Sequence, residues 1–158
     1  MPEVTFAEIE PRFRSIADRI AWATAVTVDR QGRPRSRILH PIWEGNVGFI
    51  ATGRHSHKEK HLAANPFMSI TYWDPQHEQV CAECRTSWED DPAEKERIWE
   101  LYKATPPPVG YDLAMIWQGG LEDPSYGLLR LEPWRLSVWS IGEMAQGQQE
   151  TVWRPENG

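Results

Sequence analysis

The chain has 158 residues, with 17 Lys plus Arg against 23 Asp plus Glu, a formal charge of −6. That balance argues against broad duplex nucleic-acid binding and against an anionic membrane surface, both of which need clustered cations, although a local basic patch can still hold one small anion. At this length folding removes roughly 70% of the unfolded surface from water, so one domain can build its core without metal or disulfide staples.

Apolar residues make up 40% and charged residues 25% of the chain, and the mean hydropathy of −0.61 is that of a globular protein. The longest apolar stretches, residues 20–28 and 47–51, are far short of a membrane span, and Glu3, Glu8 and Glu10 stand where a signal peptide would be basic. A cytoplasmic location is expected. Cys81 and Cys84 fit a reducing compartment. Nine tryptophans suit an extensive interface or a site that holds a flat ring.

In chain order, Thr5 and Glu8 make a capping box, and Ile9, Phe13, Ile16 and Ile20 recur at helical spacing, with Pro11 expected to split off a short entry turn. The period then drops to two, with Ala23, Ala25 and Thr27 on one face and Thr24, Val26 and Val28 on the other, until the turn at 29–32. Strands over 35–43 and 47–51 complete an expected three-stranded meander. Ser56 with Glu59 is read as a second capping box, opening a helix that Asn65-Pro66 ends. Strands follow at 67–73 and 78–86, then a helix opened by Asp91, Pro92 and Glu94. Residues 113–117 and 126–141 read as closing strands, with Pro133 marking an edge or bulge. The expectation is one mostly β domain over 1–141 with flanking helices, followed by a loose polar tail over 142–158.

Three features carry chemistry. Arg33, Arg35 and Arg37 alternate, so in a pleated strand their side chains leave from one face. Such a stripe is either a solvated strand end or an anion site, where planar guanidinium forks engage oxygens in pairs. Residues 52–58 lie between a strand and a helix start, where free amide N–H groups, the helix dipole and Lys58 favour an anion. Cys81 and Cys84 have CxxC spacing, but an offset of three puts them on opposite faces of a strand, and no second pair completes a tetrahedral zinc set. His57 and His61 stand at i and i+4 but lack the HExxH order of a zinc protease. No metal site is expected. There is no GxSxG, GxGxxG or Walker motif, so no nucleophile elbow, Rossmann site or P-loop is supported.

The run ATAVTVDRQGRPRSRIL at 23–39, then GFIATGRHSHKEKHLAANP at 48–66, then EQV at 78–80 resembles the pyridoxamine 5′-phosphate oxidase-like FMN-binding split barrels. The resemblance covers roughly residues 15–140 and is carried by the GRPRSR and T-x5-K-x3-L-x2-NP segments. It implies a six-stranded antiparallel split barrel that pairs as a homodimer, with FMN in the groove between subunits. Position by position it places Arg37, with Ile38 and Leu39 after it, on the strand that contacts the flavin. It places Thr52 at a strand end, Ser56, His57 and Lys58 in the phosphate turn, Gln79 beside the ring and Trp139 near the isoalloxazine.

His57 stands where the oxidase has arginine, Ile42 where it has lysine, and GEMAQGQQETVWR replaces its RLHDR-like segment, so a true pyridoxamine phosphate oxidase is not expected. The expected activity is an FMN-dependent oxidoreductase acting on a small molecule, with no side chain assigned as acid or base. The alternatives are a reductase using the deazaflavin coenzyme F-420, or a flavin- or haem-binding carrier or sensor without turnover.

Overall fold

The computed structural model describes residues 3–156. Helix α1, Phe6–Ile20, opens with the expected capping box, in which Glu8 Oε2 accepts from the Thr5 amide at 2.8 Å. It runs unbroken through Pro11, because burial of Ile9, Phe13 and Ile16 on one face holds the helix across the missing N–H.

Strands β1 (Ala23–Val28) and β2 (Pro34–Leu39) form a hairpin, as do β3 (Pro41–Glu44) and β4 (Val47–Gly53). The first hairpin turns at Gly32, whose positive φ of 78° a side chain would strain. Helix α2 (His57–Ala64) follows, then β5 (Phe67–Trp73), β6 (Glu78–Trp88) and α3 (Pro92–Ala104), which Asp91 caps through Ala93. The chain closes with β7 (Tyr126–Ser140), a short α4 (Ile141–Ala145) and β8 (Thr151–Trp153).

The strands pair antiparallel in the order β2-β1-β5-β6-β7-β4-β3, with β8 added to β7. β2 and β3 therefore lie at opposite ends of the order, although only His40 separates them in sequence. That short link draws the two edges together and curls the sheet into a split barrel. The expected single strand over 35–43 and its meander are thus corrected. Pro41 has no ladder N–H and disfavours helical geometry at His40, so the chain bends there and changes edges.

Three more expectations change. Eight strands stand where six were expected, from the split at His40 and from β8. Residues 113–115 form a 3-10 turn, because Asp112 caps it and Leu113 and Trp117, four apart, both enter the core. The tail is docked rather than loose: Val152 pairs with Ser137 and is fully buried, Trp153 packs against Phe6 with ring centroids 5.2 Å apart, and residues 157 and 158 lie outside the described part. The bulge expected at Pro133 is present, where β6 and β7 slip register between Glu83 and Cys84.

One core fills the barrel between α1 and the inner faces of β1, β5, β6 and β7; a second packs α3 and the 113–117 turn on β4 and β7. No helix among the described residues is long and apolar enough to cross a membrane.

Candidate functional site: an unpaired cationic cluster and an aromatic row

Alternation along β2 sends Arg37 and Ile38 to opposite faces. Arg37 pairs in register with Ala25, and Ala25 with Ile70, so Arg37 shares the barrel's inner face. There its Nη2 donates to Thr27 Oγ1 at 2.8 Å, and its Nη1 to the Ala25 carbonyl at 3.4 Å. Thr27 Oγ1 lies 2.9 Å from His61 Nδ1 on α2. Thr27 and His61 are both buried, so arginine, hydroxyl and imidazole form one connected wall.

Lys58, in the first turn of α2, is only 7% exposed. Its Nζ donates to Ser56 Oγ at 3.0 Å. The Ser56 side chain makes no cap bond to the helix, which corrects the second expected capping box; Glu59 instead pairs with Arg54 and His55. The first turn of α2 thus has no side-chain acceptor.

Burial, and then the positive charge of Arg37, pull the Lys58 pKa below its ordinary value. Burial and Arg35 do the same to Arg37. Among the described residues neither cation has a carboxylate partner. Arg37 reaches α2 through Thr27 and His61, and Lys58 stands about one turn before His61 on the same helix.

The three arginines of the stripe do not act together. Arg33 Nε pairs with Asp29 Oδ2 at 2.9 Å, and Arg35 approaches the same oxygen at 3.8 Å, so of the three only Arg37 has no carboxylate partner among the described residues. His57 is exposed and belongs to the rim of this region. Leu39 packs against the barrel core, and Thr52 is buried where β4 pairs with Gly127 of β7. Thr27 and His61 were not singled out as site residues from the sequence; a threonine on the apolar face of β1 was the available signal.

Gln79 lies on the other face of the sheet. In register it stands between Trp73 of β5 and Trp139 of β7, a row of two indoles flanking an amide. Trp73 is 47% exposed, and Gln79 makes no side-chain hydrogen bond among the described residues. The Trp139 Nε1 is shielded from solvent without an acceptor, beside a pocket of about 260 Å³ whose other walls are Gln148, Gln149 and Glu150. Ile38, 58% exposed, shares this outer face through its pairing with Thr24 and the pairing of Thr24 with Thr71. Ser56 and Lys58 meet at the start of α2, Arg37 reaches His61 of the same helix through Thr27, and Gln79 and Trp139 pair on the other face of the sheet.

The CxxC cysteines are separated as expected, Cys81 on the outer face and Cys84 in the core. Burial pushes the Cys81 thiol up to about 11, far from the thiolate a nucleophile needs. Among the described residues no three metal-ligating side chains cluster.

The fold is a split antiparallel barrel in which Arg37 and Lys58 have no carboxylate partner among the described residues. Residues 9–140 match the model of the pyridoxamine 5′-phosphate oxidase family, and the chain belongs to that family. Among solved structures it is similar to a Clostridium acetobutylicum protein related to general stress protein 26, with TM-score 0.75 and 12% identity over 95% of this chain and 96% of that one. It is also similar to an FMN-binding protein from Nostoc punctiforme, with TM-score 0.63 and 14% identity over 99% and 100% of the two chains. A structure described as an F420 reductase aligns with TM-score 0.57 and 17% identity over 87% and 98%. No curated protein matches the chain in sequence. At these identities the structural likeness is one of fold.

Proposed function

We propose that this chain is an FMN-dependent oxidoreductase of the pyridoxamine 5′-phosphate oxidase family. The observation that carries the reading is the Lys58 and Arg37 pair, two cations partly withdrawn from water with no carboxylate among the described residues to balance them. A phosphate dianion supplies the missing charge, and the uncapped first turn of α2 adds amide donors.

The outer face fits the rest of the cofactor. Gln79 has a spare donor and acceptor for the edge of a heterocycle, the stranded Trp139 N–H lacks an acceptor, and Trp73 and Ile38 offer apolar surface. When bound, the flavin supplies hydride transfer at its ring; the chain's residues clamp the phosphate, orient the ring and exclude water. Ile42 is 2% exposed, so the position where the oxidase carries lysine is core here, which supports an activity other than pyridoxamine phosphate oxidation. The exposed Trp22, Ile38 and Trp73 favour a second copy of the chain covering this face, so a homodimer is part of the proposal.

The test is the absorption spectrum of the purified protein, followed by titration with FMN. Flavin bands, or saturable uptake that Lys58→Ala weakens, support the reading. A colourless protein that takes up neither FMN nor F-420 overturns it. NAD(P)H-driven reduction of a dye acceptor then separates an enzyme from a carrier or sensor.

A further inference from the structure

Away from the cationic corner, His40 is the single residue that joins β2 to β3, and so closes the seam between the two ends of the strand order. It is 7% exposed, and both of its ring nitrogens are shielded from solvent without a hydrogen-bond partner among the described residues. The ring sits in an aromatic box, with centroid distances of 4.6 Å to Trp22, 5.0 Å to Tyr111 and 6.3 Å to Tyr102. Tyr102 Oη donates to the His40 carbonyl at 2.7 Å. The backbone at the seam is thus tied to α3, while the imidazole is tied to nothing.

A neutral imidazole carries one N–H and an imidazolium two, so protonation inside the box adds a second unmet donor and a charge without water. Burial lowers the proton affinity of the ring and outweighs the carbonyls of Val109 and Pro108, which favour the charged form. The faces of Trp22 and Tyr111 attract a cation only weakly against that loss of hydration. The titratable groups around the ring are Tyr102 of α3 and Tyr111 of the segment after it, both held neutral by burial, Tyr111 with its pKa pushed up to about 12. Trp22, on the β1 side, does not titrate, and no charged side chain pairs with His40 among the described residues. One wall of the box can yield. Tyr102 is fully buried, whereas Trp22 is 58% exposed and follows Ala21, whose φ of 62° lies in the left-handed region that strains an alanine.

We propose that His40 is an acid-sensitive latch at the barrel seam: the neutral ring lets Trp22 close over it, and the protonated ring displaces Trp22 to reach water and loosens the join between β2 and β3. Because β2 carries Arg37 and Ile38, the latch governs how firmly the edge strand is held. The device depends on no cofactor, so it stands or falls apart from the flavin reading.

The experiment uses the full chain without cofactor. Side-chain NMR from about pH 8 to about pH 5 follows the five imidazoles and the nine indole N–H groups. His40→Gln and Trp22→Phe assign the two resonances that matter. His40 is expected to titrate with a midpoint below its ordinary 6.5, and the Trp22 indole to shift with the same midpoint. Denaturation midpoints of wild type and His40→Gln are then compared over the same range. The folded ring binds its proton less tightly than the unfolded chain, so wild type should lose stability relative to His40→Gln as pH falls through 6.5, the difference levelling off below the folded value. His61, the other buried imidazole, is present in both proteins and cancels in the difference. Amide hydrogen exchange along β2, corrected for its intrinsic pH dependence, should show protection lost in acid by wild type and kept by the variant. His40→Phe, which fills the box without a polar atom, takes the place of His40→Gln if that variant does not fold. A His40 midpoint at or above 6.5, a Trp22 resonance that does not follow it, stabilities that run parallel with pH, or β2 protection that acid leaves unchanged overturns the latch.

Discussion

Positive charge is handled in two ways, one at the α4 end of the barrel and the other in the Lys58 and Arg37 corner of the α2 end, where the neighbouring Arg33 and Arg54 are still paired. Near α4, Arg12 meets Glu143 through two bonds of 2.7 Å, and Arg19 is paired with Asp74. Arg97 engages both Glu44 and Glu94, and Arg135 engages Glu150. Hydrogen bonding to Glu143 raises the Arg12 pKa, and the same contact lowers that of Glu143. At the α2 end, Lys58 and Arg37 are pushed down instead, by burial and by neighbouring cations. Where the chain needs cations for structure it supplies the anion itself. Where it leaves them unmatched, the partner must come from outside.

The largest effect that separates the two ends is expected from Lys58→Met. Removing the ammonium should weaken FMN by about 1.5 to 3 kcal/mol, the worth of a lost charge-assisted bond. The cofactor-free protein should become about 1 kcal/mol more stable, because a desolvated charge is replaced by an apolar chain of similar length. Fluorescence titration and a denaturant melt read the two quantities. A variant that loses stability without its cofactor shows that Lys58 is part of the scaffold, and the contrast between the ends fails.

Arg12→Ala gives the complementary result. The Arg12 and Glu143 side chains are partly solvated, at 34% and 26% exposure, so screening limits the loss to about 1 kcal/mol. Affinity for inorganic phosphate should not change, since the pair lies on α1 and α4, while FMN should weaken by less than in Lys58→Met, because Glu78 and Ser140, which the pair touches, adjoin Gln79 and Trp139. A fall in phosphate affinity matching that of Lys58→Met would mean that the pair also supports the cations beside α2.

What the sequence revealed of this contrast was limited in an instructive way. The capping box at Thr5, the alternation of Ala23, Ala25 and Thr27, and the Asp91 cap are local, and each appears as expected. The Arg33, Arg35 and Arg37 stripe showed a common face, but its division depends on Asp29 folding back on two of the three. Thr27 and His61 are 34 positions apart, so their contact was invisible to any local pattern. At His40 a signal was present in Pro41, but Ile38 and Leu39 before it and Ile42 and Trp43 after it read as one strand. Val152 and Trp153 were hidden by the glutamines around them, although two adjacent apolar residues in a polar tail are the mark of a strand that docks.

The smallest expected effect is the most specific. The folded pKa of Lys58 lies below its ordinary value of 10.5, so the unfolded chain binds its proton more tightly than the folded one. The resulting destabilisation is complete below the folded pKa, shrinks between that value and 10.5, and vanishes above it. Cofactor-free wild type should therefore gain stability relative to Lys58→Met as pH rises toward 10.5, seen as converging denaturation midpoints. A phosphate dianion at Nζ works the other way, favouring the protonated amine, so saturating FMN should flatten or invert the trend. No such convergence occurs if Lys58 is paired in solution. A convergence that FMN leaves untouched would place the phosphate elsewhere, and would detach the unmatched cations of α2 from the flavin.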